Sequence, residues 1–349
     1  RRRSWIHWLG ITALPALASL ALLGVFTRRG DGTALAQPGP PQAPTAQCSL
    51  RGQSVMPVNA AIVDLRGNAI ARFSGAPTPL VASDFPSDAQ GKVRIETGFG
   101  AGSFRIRGFV DPAQLPLFAV TNVTVTPGHV WIASNHAVTL IGAASGRLRV
   151  EKKLSAPLLQ TFRGAGECSA FSLEPGTPAG FAPAGDARGY ALKREALDLY
   201  ADAAAEVPVT TLHRAPSVDA VLFFSSEQRG SFVHLEYHGD VLIDGWAKAN
   251  ALSALPAGET MDQLVPATSP RSTSQMTFQT QPKLLRPSRD VALRRAAKEA
   301  EPTIGVIEPG AETYVIDQVA GWASVLPKSM NVLPPADGQF WAKSSDLGL

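Results

Sequence analysis

Apolar residues in this chain recur at every second position in short stretches, a period that fits strands and not helices. Phe104, Ile106 and Gly108 alternate with Arg105 and Arg107, and Val233, Leu235 and Tyr237 alternate with His234, Glu236 and His238. Successive side chains on a strand point to opposite faces, so each stretch reads as a strand with one face in a core and one in water. Val93 and Ile95, Val123 and Val125, Val138 and Leu140, and Leu148 and Val150 extend the pattern. With 31 Gly and 28 Pro among 349 residues and only 17% charged, the runs are punctuated by turns, which favours a β architecture over a helical bundle. The expected fold class is mainly β, built from small antiparallel barrels or sandwiches.

The charge is unevenly placed. Of a formal net charge of +3, Arg1, Arg2, Arg3, Arg28 and Arg29 against Asp31 put +4 in the first 36 residues, leaving −1 for the rest. A near-neutral body has no broad field to gather polyanions, and no nucleic-acid module is present, so nucleic-acid binding is not expected. The arginines instead flank the apolar stretch from Trp5 to Phe26, which reads as an export signal. Ala34-Leu35-Ala36 supplies a small-x-small cleavage site before Gln37. The alternative is a retained anchor with membrane contact through residues 5–26, since the stretch approaches the roughly 20 residues a spanning helix needs. Either way the basic end favours a cytoplasmic N-terminus and an exported body, in the periplasm or cell envelope.

Export permits a disulfide between Cys48 and Cys168, the only cysteines. That bridge would contribute roughly 4 kcal/mol by restricting the unfolded chain; two unpaired thiols are the alternative. Pro38, Pro40, Pro41 and Pro44 mark an extended spacer over 37–53, and alternating Pro and Gly mark a second over 174–190. A third linker runs over 255–302, with Asp290 to Ala300 expected as a short helix bearing the basic cluster around Arg294 and Arg295.

An internal repeat lies between these connectors. Phe109-Val110-Asp111 with Leu115, Trp246-Ala247-Lys248 with Leu252, and Trp341-Ala342-Lys343 with Leu347 share one spacing, and a degenerate copy lies at Cys168 to Leu173. Gly108 and Gly245 precede the first two aromatics. Duplication of a compact module is the usual origin of such spacing. Gly245-Trp246-Ala247 through Leu252 resembles the closing strand, short turn and terminal Leu of bacterial SH3-like (SH3b) domains. The resemblance implies tandem small SH3-like β-barrels over 54–116, 117–173 (divergent), 191–254 and 303–349, joined by the Pro-rich linkers, with the signal or anchor helix over 1–36. It also implies a non-enzymatic binding or scaffolding role in the cell envelope, with peptidoglycan or an envelope protein as partner and several weak sites acting together.

Phe109, Trp246 and Trp341, with Trp131 and Trp322, are the aromatic candidates for ligand contact; core packing is the competing role for a Trp followed by a small residue. An enzymatic alternative rests on Gly166-Glu167-Cys168-Ser169, which is similar to the nucleophile segment of NlpC/P60 cysteine peptidases, with His234 as base. His234, Glu236 and His238 share a strand face but make an incomplete metal set, so they read as a solvated polar face and no metal is assigned. Phosphate-binding loops, dinucleotide fingerprints and zinc-protease helices are all missing from the sequence, so no cofactor is expected.

Overall fold

The alternation becomes strand where it was read. In the computed structural model, which describes residues 48–99, 102–125, 128–177, 181–184, 186–256 and 282–349, the strand Phe104–Val110 buries Phe104, Ile106 and Val110 and turns Arg105, Arg107 and Phe109 outward. Phe232–His238 does the same with Val233, Leu235 and Tyr237 inward. The described residues hold 28 strands, three 3-10 turns and one four-residue α-helix, Ser344–Leu347, so the chain is mainly β. No helix among them is long and apolar enough to cross a membrane. The signal or anchor expected over 1–36, and most of the 37–53 spacer, lie outside the described residues.

The repeat has a physical counterpart. In the three copies at Phe109, Trp246 and Trp341 a strand runs through the repeated position and a short turn begins three residues later, at Pro112–Gln114, Ala249–Ala251 and Ser344–Leu347; the degenerate copy also holds a short turn, Cys168–Ala170, at its start. The repeated aromatic sits between two partners each time. Phe109 lies opposite Arg94 and Val63, Trp246 opposite His234 and Tyr200, and Trp341 opposite Ser324 and Arg294. The preceding glycine lets a neighbouring strand come close: a Cβ on Gly108 would stand 2.5 Å from Ile62 Cγ2, and one on Gly245 would stand 2.9 Å from Leu199 Cδ1.

Separate closed barrels do not form. Among the described residues the strands make four sheets, none closed on itself, and the largest has 13 strands running from Ser49–Ser54 through Phe104–Val110 and on through Thr303–Ile307 to Lys283–Leu285. The units expected at 54–116 and 303–349 therefore share a sheet: Gly305 lies opposite Ile106, and Val332–Leu333 pairs with Ala69–Phe73. Ser103 donates to Glu308 at 2.9 Å across the same seam. Strands of 117–173 likewise join those of 191–254, with Ile132 opposite Val241. Short sheets have open edges, and here a neighbouring unit pairs them where a barrel would close on itself.

A second correction concerns Asp290 to Ala300. Its expected helix is instead the strand Val291–Arg294 followed by turns, placed between Thr303–Ile307 and Phe340–Lys343. Val291 and Leu293 are buried while Ala292 and Arg294 face outward, which is a period of two. The second half of the expected linker thus belongs to the last unit.

Two links cross between units. Cys48 and Cys168 form a disulfide with Cα atoms 5.7 Å apart, tying the chain just before Ser49–Ser54 to the turn at Cys168–Ala170. The bond fits an oxidising, exported compartment. Asp240 accepts from His136 Nδ1 at 2.9 Å and pairs with Lys152 Nζ at 2.8 Å. The hydrogen bond from His136, then that from Lys152, holds its carboxyl far below the usual carboxylate range against the opposing effect of burial.

Candidate functional site

The strand Phe104–Val110 changes partner midway. Thr303–Ile307 pairs with Phe104, Arg105 and Ile106, whereas Ala61–Val63 pairs only at Phe109. Where the two partners part, an open groove of about 590 Å³ forms. Phe109, Gly108 and Pro302 contribute apolar surface, and Arg66, Arg94, Arg107 and Arg295 line it with guanidinium groups.

Local chemistry fixes the rim. At the hairpin between Ala61–Val63 and Ala69–Phe73, the Asp64 carboxylate accepts from the backbone N–H groups of Arg66 and Asn68, both at 2.9 Å. Gly67, at φ 85°, supplies the left-handed step of the turn. Hydrogen bonding from the Asn68 side chain, aided by those backbone groups and by the Arg295 charge, lowers the Asp64 pKa and keeps the carboxylate ionised. This turn leaves Leu65 at its tip, 88% exposed.

The arginines differ in what holds them. Arg94 pairs with Asp84 at 3.2 Å, Arg107 with Glu96 at 2.8 Å and Arg295 with Glu301 at 3.1 Å. The Arg66 guanidinium has no partner among the described residues. Exposed pairs such as Arg94–Asp84 and Arg107–Glu96 contribute only about 0–1 kcal/mol each, so an incoming anion displaces them at little cost, whereas the Arg295–Glu301 pair is part-buried. Four guanidinium groups against the single lining carboxylate of Asp64 suit an anionic ligand with apolar parts.

The other aromatic candidates sit elsewhere. Trp246 is buried, 6% exposed, with the His234 ring 5.0 Å away and the Arg229 guanidinium 4.9 Å from its own ring. Trp322 and Trp341 are half-buried in the last unit, with the Arg294 guanidinium 5.9 Å from the Trp322 ring. Trp131 is half-buried on Val130–Ile132, opposite Leu242. Of the five, Phe109 alone lines the groove.

The residues of the enzymatic alternative are engaged otherwise. Cys168 has its sulfur in the disulfide and so offers no thiolate. His234 Nε2 lies 2.5 Å from Asp244 Oδ1, and Trp246 packs beside the ring. His238, from the same strand face, stacks on Phe181 with ring centroids 3.5 Å apart, and burial lowers its pKa against the opposing charges of Glu236 and Asp244.

Sequence reasoning reached Phe109 through the repeat but missed Leu65 and the arginine wall. Arg105 and Arg107 were visible as the polar half of an alternation. Nothing local brings Arg295 beside Asp64, because that neighbourhood depends on strands from opposite ends of the described chain. Comparison with protein-family models, with curated proteins and with solved structures returned no match for the chain.

Proposed function

We propose that this protein is a non-enzymatic binding or scaffolding component of the cell envelope, which holds peptidoglycan or an envelope protein through its repeated β units. The groove at Phe109 is the observation that carries the reading. It combines exposed apolar surface with guanidinium groups, the chemistry that carboxylate-bearing wall peptides would complement. The Cys48–Cys168 disulfide supports placement in an oxidising compartment such as the periplasm.

Co-sedimentation of the full chain with purified cell-wall sacculi tests the proposal. Wild-type protein is expected in the pellet, and Phe109→Ala is expected to weaken pelleting about tenfold, as for a central aromatic contact. Wild-type protein that stays in the supernatant, and that captures no envelope protein by crosslinking in intact cells, removes the reading. Release of soluble muropeptides by the purified chain would replace it with an enzymatic one.

A further inference from the structure

We infer that the Phe109 groove receives an extended acidic peptide in which carboxylates and apolar side chains follow one another at every second residue, on one face. This rests on the binding role proposed above and names the ligand class for that site. Three features of the groove lead to it.

The first is charge. Arg66, Arg94, Arg107 and Arg295 outnumber the one lining carboxylate, Asp64, and the Arg66 guanidinium has no partner among the described residues to give up. Arg107 is also easily released: its partner Glu96 lies 3.7 Å from Arg105 as well, so Glu96 stays paired when Arg107 turns to a ligand. A guanidinium fork matches a carboxylate with two parallel hydrogen bonds.

The second is apolar surface that charge alone does not explain. Leu65 is 88% exposed at the hairpin tip, and Phe109 and Pro302 face the same groove. A phosphate or sulfate polymer would engage the arginines and leave these three in water. A peptide with apolar side chains between its carboxylates would cover them.

The third is spacing. Arg107 and Phe109 are two residues apart on one strand and so share its face, while Arg94 stands directly across from Phe109. Cation and apolar surface therefore follow one another at about 7 Å, the distance between same-face neighbours of a strand, so an extended peptide matches them when its carboxylate and its apolar side chain are two residues apart. The volume of about 590 Å³ falls within the usual range for a ligand site.

The test is fluorescence anisotropy of the full chain with the labelled hexapeptide Glu-Ser-Leu-Ser-Glu-Ser, whose Glu and Leu share one face (the Glu-Leu peptide), beside the same peptide with Gln for Glu (the Gln-Leu peptide) and dextran sulfate. The Glu-Leu peptide is expected to bind at least about tenfold more tightly than Gln-Leu, and to weaken as salt is raised. Arg66→Glu, at an exposed tip where it disturbs no ion pair among the described residues, is expected to lower that affinity about tenfold without moving the melting temperature. Phe109→Ala should weaken the Glu-Leu peptide and leave dextran sulfate unchanged. Equal binding of Gln-Leu, indifference to Arg66→Glu, or dextran sulfate binding that competes fully and shares the Phe109 dependence each overturns the inference. If sacculi still pellet Arg66→Glu as well as wild type, the ligand class falls while the envelope-binding role stands.

Discussion

Phe109 and Trp246 occupy the same place in two copies of one repeat, yet one opens onto a groove and the other is sealed. Both follow a glycine that admits a neighbouring strand, and both precede a short turn by three residues. The difference comes from outside the repeat. Over Trp246, Tyr200 exchanges backbone hydrogen bonds at 2.7 and 2.9 Å, and Arg229 covers the ring. Beside Phe109 the neighbouring strand ends at Val63 and turns away into the Leu65 hairpin. A repeated sequence therefore fixes the strand and its turn, and the next segment of chain decides whether the aromatic becomes core or surface.

Substitution of the two rings tests that contrast most strongly. Trp246→Ala should lower the unfolding free energy by about 4 kcal/mol and Phe109→Ala by about 1 kcal/mol, read by denaturant titration. Equal losses would erase the distinction between sealed and open copies. The shared frame gives a smaller effect: Gly108→Val and Gly245→Val should each cost about 2 kcal/mol, because both meet a neighbouring strand. Tolerance of one and not the other would show that the copies are not equivalent.

The pH response should separate the two regions further. Asp240 has a depressed folded pKa, so its contribution is full above the unfolded value near 4 and is lost as pH falls below it. Tyr237 is pushed up to about 12 by burial, with a further contribution from Asp240, so its contribution is full below pH 10 and is lost between about 10 and 12. Melting temperature against pH is therefore expected to drop on both sides, with Asp240→Asn flattening the acid limb. An unchanged acid limb in that variant would remove the seam at His136, Lys152 and Asp240 from the account. Arg229→Ala, which strips the cation from the Trp246 ring, should give the smallest effect, about 0.5 kcal/mol. A loss several times larger would mean that Arg229 supports the fold of the unit itself.

What was legible in the sequence was local. Alternation at Phe104–Val110 and Phe232–His238 gave strands with the right faces, the spacing of Phe109, Trp246 and Trp341 gave strand followed by turn, and export logic permitted the Cys48–Cys168 bond while leaving unpaired thiols as the alternative. Partnership between distant strands was not legible, since pairing depends on which open edges meet in space. The stretch from Asp290 to Ala300 shows the conflict well. Its Ala, Arg, Lys and Glu residues favour helix individually, but burial of Val291 and Leu293 between two strands overrides that preference. The groove was hidden for the same reason, because Arg295 and Pro302 reach it only through the pairing of Thr303–Ile307 with Phe104–Val110.

That pairing also sets an order in time. Ser103 and Glu308, which meet at the seam, are separated by 205 residues of chain. Contacts of such long range form late, after the intervening chain has been made and brought into place. A chain emerging N-terminus first thus carries Phe109 and Arg107 well before it carries Pro302, and the groove is complete only when both edges of that seam have met. Occupancy of the groove, as proposed, would then report that both sides of the seam have arrived and folded, and a chain cut short before Lys283 would retain the aromatic without the groove.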